Sequence, residues 1–279
     1  MSQRLLVYQA LWAMDRLVTP EASLTEKFDR VCAAGFDGMA IDLGALTLGE
    51  AEATVPHFER TGLLGGLTAF PQSVEDLRPA LALAHRIGAP FVVVIGQDMP
   101  VKLEDMIPRI EGWLEVASDA DMPIQFETHR NCITNDLYTT VQLLEAVPAM
   151  RLAADLSHYV VDREMPCPPT PALQALVSRV LARSDSFQGR VAARGQIQIA
   201  LDFPRNAKWV ALFREWWREG FVSWRARHAG SEAALVFLSE LGPPDYAITD
   251  RDGRELSDRW NEALQLAEWA RETWLATAP

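Results

Sequence analysis

Short apolar runs alternate with longer amphipathic stretches along the whole chain, with no low-complexity linker between them. The runs at 5–11, 38–43, 63–70, 90–95, 123–127, 151–155, 187–191 and 235–240 predict strands, because each is brief, apolar and bounded by polar or glycine-containing turns. Apolar positions spaced by three and four predict helices over 24–34, 74–87, 103–117, 137–146, 208–219 and 256–274. Ser23 supplies a start signal for the first helix, and Gly35 and Gly88 supply stops. The seventh unit is the least regular, since MPCPPTP interrupts the chain and the strand after it contains Gly189. Eight strands alternating with helices predict an α/β chain folded as one (β/α)8 TIM barrel over residues 1–279. The rival is an open doubly wound sheet, which calls for a glycine-rich phosphate loop after the first strand; none follows residues 5–11.

Composition narrows the partners. Of 279 residues 49% are hydrophobic, ample for a core of this size, and the formal net charge is −12. Such a surface repels a phosphate backbone, so nucleic acid is not an expected partner. No run reaches the roughly eighteen apolar residues of a membrane helix, and the N-terminus lacks a cleavage site of the secretory kind. Cys32, Cys132 and Cys167 are odd in number and share no metal-like spacing, which predicts free thiols and a cytoplasmic protein.

The chemistry is expected where apolar strands end in polar residues, because strand ends of such a barrel point into the active-site mouth. IQFETHRN ends on Glu127 and its neighbours, LAADLSHY on Asp155, SFQGRV on Gln188 and LVFLSELGPPDY on Glu240. A lone carboxylate at such a place is more often a helix cap or a solvated loop residue than a metal ligand. Three converging carboxylates repel one another and are costly to desolvate, and a metal ion removes that cost. Three carboxylates and an amide offer oxygen, which predicts Mn2+ or Mg2+ ahead of Zn2+. Arg130 and Arg190 are candidate bidentate donors to a substrate, with salt bridges at the rim as the alternative; His129, Gln97 and Asp98 are candidate partners for hydroxyls. Trp12 closes the first strand and is placed to stack on a sugar ring. The Trp216–Trp217 pair packs a helix either on the barrel or at a subunit interface, which would make the chain a homo-oligomer. His57, His85 and His228 lack partners and are expected to pack.

Together the ETHRN, DLSH and ELGPPDY segments resemble the sugar phosphate isomerase/epimerase family of xylose-isomerase-like barrels, over about residues 5–274. The resemblance implies a divalent ion held by Glu127, Asp155, the strand-seven residue and Glu240, with His158 facing the substrate. In the wider superfamily the strand-seven ligand is a histidine; the matching position here is Gln188, with Arg190 as the family's arginine. Strand four, ending IGQD, also lacks a histidine found in closer relatives.

The expected function is therefore that of a metal-dependent isomerase or epimerase. It acts on a keto-sugar, sugar phosphate or related polyol by proton transfer α to a carbonyl, with Glu127 and Glu240 as the acid/base pair and His158 orienting the substrate. One alternative is a metal-dependent lyase or hydrolase on an oxidised sugar or glycoside. The other is a degenerate sugar-binding member without catalysis, which Gln188 keeps open. A DNA-repair endonuclease ranks last because of the acidic balance.

Overall fold

The computed structural model describes residues 3–17 and 22–278. Eight strands, β1 (Arg4–Ala10), β2 (Gly38–Asp42), β3 (Leu64–Ala69), β4 (Val92–Val94), β5 (Ile124–Glu127), β6 (Leu152–Ala154), β7 (Ser184–Gly189) and β8 (Ala234–Ser239), close in chain order into a barrel. Every pairing is parallel, including the β1–β8 closure that runs from Arg4↔Ala234 to Gln9↔Ser239. Strands buried on both faces need apolar residues at successive positions, as in the VVV of β4.

The outer layer comprises α1 (Leu24–Ala33), α2 (Leu48–Glu52), α3 (Val55–Thr61), α4 (Arg78–Arg86), α5 (Leu103–Asp119), α6 (Leu137–Ala146), α7 (Leu156–Asp162), α8 (Pro171–Leu181), α9 (Ala207–Arg227) and α10 (Arg259–Ala276). Ser23 and Glu26 form a reciprocal cap at the start of α1, and Gly35 and Gly88 take the left-handed conformation beyond α1 and α4. The expected helix at 208–219 extends to 21 residues in α9. It buries Trp209, Trp216, Trp217 and Trp224, and Trp217 meets Phe237 of β8 edge-on at 5.2 Å. The tryptophan pair thus packs α9 on the barrel, the first of its two sequence readings. Among the described residues no helix is long and apolar enough to cross a membrane, and all three cysteines are free.

Three departures from the sequence reading have local causes. Strand β7 begins at Ser184, three residues before the expected start, because Ser184 and Ser186 are buried polar residues in the strand. Ser186 Oγ donates to Gln125 Oε1 of β5 at 2.5 Å, so polar side chains pair inside the barrel. Helix α8 follows the proline-rich break directly: Thr170 caps it and Pro171 occupies its first turn, where the missing N–H costs nothing. Helices α2 and α7 are five and seven residues long, too short to give a clear period in sequence.

Since every strand runs the same way, the residues that end them gather at one mouth. Arg259, fully buried at the start of α10, ties that mouth together. It donates to the carbonyls of Ala13 (2.6 Å), Asp15 (2.8 Å) and Leu241 (3.2 Å), from the loops after β1 and β8, and forks onto Glu255.

Candidate active site

Glu127 ends β5, Gln188 lies one residue before the end of β7, and Asp155 and Glu240 follow β6 and β8 directly. All four are buried, and Glu127, Asp155 and Glu240 bring carboxylate oxygens within 4.8 Å of one another. The four sequence-predicted residues therefore share one end of one parallel barrel. Asp155 also caps α7, accepting from the Ser157 N–H at 2.9 Å through Oδ1.

Arg190 is 2% exposed and lies among these carboxylates. Its Nη1 donates to Asp155 Oδ2 at 2.9 Å, its Nη2 lies 3.3 Å from Glu240 Oε1, and its Nε donates to the Glu240 carbonyl at 3.1 Å. The guanidinium also faces the Tyr246 ring, 5.1 Å from its centroid. Trp12 Nε1 donates to Glu240 Oε1 at 3.1 Å and its ring meets Tyr246 edge-on at 5.4 Å. Gly242 permits this approach, because a Cβ there would lie 2.6 Å from the Trp12 ring.

The ETHRN turn is held by buried hydrogen bonds. Thr128 Oγ1 donates to the Asp155 carbonyl at 2.8 Å, Thr134 Oγ1 to the Glu127 carbonyl, and Tyr159 of α7 to the Thr134 carbonyl at 3.0 Å. This brings the His129 ring to 4.0 Å from that of His158. His158 Nε2 lies 3.3 Å from Asp155 Oδ2.

These contacts separate the carboxyls. Burial pushes Asp155 up, but Arg190, His158 and the Ser157 N–H outweigh it and hold this acid well below the usual carboxylate range. Glu127 moves the other way: burial, then Glu240 and Asp155, push it well above that range, against the opposing pull of Arg190 and Gln188. Burial also raises Glu240, opposed by Arg190 and reinforced by Asp155 and Asp42. Burial and the neighbouring His158 lower His129 to about 3, and burial lowers His158 against the pull of Asp155. Both imidazoles are consequently neutral near pH 7.

The cleft above the cluster measures about 260 Å³ and is lined by Trp12, Asp42, Phe70, His129, Glu240 and Tyr246, among others. Glu127 and Arg190 also reach its wall. The remaining predicted substrate contacts lie off it: exposed Arg130 packs over Tyr246 at 5.5 Å, Gln97 donates to the Asn131 carbonyl, and Asp98 pairs with Arg109 at 2.7 Å. Sequence reasoning missed Asp42 and Tyr246. Asp42 closes β2 in IDLG, the same strand-end signal that marked the other four.

The D-allulose 3-epimerase from Methylomonas sp., solved in complex with D-allulose, matches this structure with a TM-score of 0.58 at 14% identity, over 98% of each chain. A xylose isomerase-like TIM barrel protein from Mycobacterium smegmatis, solved in complex with magnesium, matches with a TM-score of 0.60 at 14% identity, over 98% of this chain and 100% of that one. The fold is that of the xylose isomerase-like TIM barrels. The probable 3-DHS dehydratase from Bacillus anthracis shares it, with a TM-score of 0.57 at 15% identity over 96% and 99% of the two chains. No protein-family model matches the sequence, and no curated protein matches it.

In this xylose isomerase-like barrel Glu127, Asp155 and Glu240 bring one carboxylate oxygen each close enough together to hold a divalent ion, and Gln188 is buried at the same mouth. Gln188 Oε1 and Glu240 Oε2 are buried without a hydrogen-bond partner and would suit one. Asp155, however, has both oxygens engaged, Oδ1 by Ser157 and Oδ2 by Arg190, and Arg190 spans to Glu240 as well. A second group, Glu127, His129 and His158, also brings three donor atoms within 4.8 Å.

Proposed function

We propose that the chain is an isomerase or epimerase that moves a proton on the carbon beside the carbonyl of a small keto-sugar or polyol. The observation that carries this reading is that Glu127 and Glu240 line one cleft with unequal environments: Glu240 is in contact with Arg190, and Glu127 has no ion-pair partner among the described residues. Two carboxyls in unequal environments on one cleft can differ in protonation at the same pH, which is what proton removal and return require. Glu240 is the base and Glu127 the acid. Arg190 provides fixed positive charge next to the developing oxyanion, and His158 orients a substrate oxygen. Trp12 and Tyr246 offer faces for the sugar ring.

The lining favours an unphosphorylated substrate, since its one buried arginine is already bonded to Asp155 and Glu240. Glu127, Asp155 and Glu240 would hold a divalent ion, which would supply Lewis-acid stabilisation of the developing negative charge. Its identity depends on the ligands: an all-oxygen set selects Mn2+ or Mg2+, whereas a set with imidazoles selects Zn2+. A second reading, elimination of water from an oxidised sugar, draws on the same protonated carboxyl and is the kind of reaction named for the Bacillus anthracis structure.

The test is to incubate the protein with D-allulose, D-tagatose and related ketoses in D2O, with Mn2+, Mg2+ or Zn2+ present, and follow the sugars by NMR. The reading expects a product of unchanged mass apart from deuterium at the epimerised carbon. Loss of water from the substrate would select elimination, and absence of any turnover across the ketoses would remove the isomerase reading.

A further inference from the structure

A cavity of about 460 Å³ opens between the loops that follow β6 and β7; it is larger than the active-site cleft and shares no lining residue with it. Pro166 and Cys167 come from the first loop, the 193–196 turn from the second, and Arg205, Lys208 and Trp209 from the start of α9. Hydrogen bonds hold the walls together. Arg194 Nε donates to the Met165 carbonyl and Cys167 Sγ to the Lys208 carbonyl, both at 3.5 Å, and the buried Asn206 side chain donates to the Ala200 carbonyl at 2.8 Å. Arg194, Arg205 and Lys208 line this cavity and no acid does. None of the three has an ion-pair partner among the described residues, and the flanking acids Glu164 and Asp202 stay out of the lining. In a chain with 38 acidic residues against 26 lysines and arginines, three unpaired cations in one cavity repel one another with nothing in the chain to offset it. The first turn of α9, a helix of 21 residues, adds its partial positive charge to the same wall.

We propose that this cavity is a second small-molecule site, which binds a phosphate monoester with Arg194, Arg205 and Lys208 around the dianion and Trp209 and Pro166 beside the ligand's carbon skeleton. A phosphate presents three terminal oxygens; the two guanidinium forks can each take a pair of them, and the lysine adds a point charge. The volume is that of a site for a small ligand. A polyanionic strand or an anionic membrane would meet the acidic surface around the cavity and be repelled, whereas a small anion enters it. Burial raises the Cys167 thiol above its ordinary pKa, so it lines the site as a neutral group and not as a nucleophile. The active-site cleft has no comparable set, since its buried arginine is bonded to Asp155 and Glu240. The phosphate ligand is therefore not the substrate of the proposed function, and the second site stands or falls independently of that reading.

Calorimetric titration of the full-length protein with glucose 6-phosphate, and separately with inorganic phosphate and citrate, tests this. The expected result is one glucose 6-phosphate per chain with a Kd below about 1 mM, displaced by inorganic phosphate and weakened as salt is raised. The double variant Arg194→Gln, Lys208→Gln should bind glucose 6-phosphate at least about tenfold more weakly. Arg4→Gln, which removes an exposed cation at the other end of the barrel, should change binding by less than about twofold. Lys208→Gln alone should cost at least about threefold, and it removes no side-chain hydrogen bond among the described residues, so a loss there cannot come from loosened loops. Unchanged affinity in the double variant would place the phosphate elsewhere on the protein and overturn the site. Equal weakening by Arg4→Gln would reduce it to general attraction, and tighter binding of citrate than of glucose 6-phosphate would overturn the assignment to phosphate. Absence of glucose 6-phosphate and inorganic phosphate binding to the wild type would overturn the proposal outright, while leaving ketose turnover untouched.

Discussion

Arg190 and Asp155 form an ion pair at 2.9 Å, with side chains 2% and 0% exposed, at the point where β6 and β7 end. Removing one partner of such a pair leaves a buried charge without compensation, a cost on the order of 3 kcal/mol. Arg190→Met is therefore expected to lower the free energy of unfolding in urea by about that amount, and Arg190→Lys by less, since a lysine keeps the charge but cannot span Asp155 and Glu240 together. A change under about 1 kcal/mol for the methionine variant would mean that another group neutralises Asp155.

Trp12 and Arg190 share Glu240 Oε1. Trp12→Phe keeps a ring beside Tyr246 but removes the N–H that Glu240 Oε1 accepts at 3.1 Å. If that bond aims the base, kcat should fall by about tenfold while KM changes little, because the ring face remains. A rise in KM with kcat intact would make Trp12 a binding residue alone.

The alternation of strands and helices was legible because a parallel barrel buries each strand on both faces and each helix on one, two patterns that survive without tertiary information. The strand-end residues Glu127, Asp155, Gln188 and Glu240 were legible for the same reason. The direction of a side chain was not. Arg190 read equally as a rim salt bridge or a substrate anchor, and the structure turns it inward onto two acids, a choice made by Asp155 and Glu240 arriving from other strands. Asp98 looked like a mouth residue at the end of strand four, but Arg109, on the following helix, draws it away. Arg259 gave no signal at all: an arginine at the start of an amphipathic helix is ordinary, and only the loops folded over it reveal its carbonyl partners.

That arginine carries its own prediction. Arg259→Met removes donors to Ala13, Asp15 and Leu241 and leaves Glu255 unpaired, so a loss on the order of 3 kcal/mol is expected. The loop after β1 should loosen with it, which limited trypsin digestion would detect as faster cleavage at exposed Arg16. Equal cleavage rates in the two proteins would show that the loop is held by other contacts.

Glu262 sets a pH dependence away from the site. Its carboxyl accepts from the Leu201 N–H at 2.7 Å and the Ser257 hydroxyl at 3.2 Å, and burial pushes its pKa up to about 7. The folded chain keeps this proton to higher pH than the unfolded chain, whose carboxyl titrates near about 4.3. Between those values the folded state binds more protons, so the stability contribution is full at low pH, falls as pH rises through the window and levels off above about 7. Glu262→Gln retains an acceptor for Leu201 and should remove this fall, gaining on the order of 2 kcal/mol on the wild type between pH 4.5 and pH 8. Parallel stability curves for the two proteins would contradict the assignment.

The direct test of the acid/base pair is the rate at which solvent deuterium enters the carbon beside the carbonyl of a turned-over ketose, compared among the wild type, Glu127→Gln and Glu240→Gln under the same metal loading. Each substitution roughly preserves shape and removes a proton-transferring carboxyl. The account predicts deuterium in the product of the wild type and a loss of both exchange and turnover by at least about a hundredfold in either variant. Full turnover with label retained in both glutamine variants would contradict it.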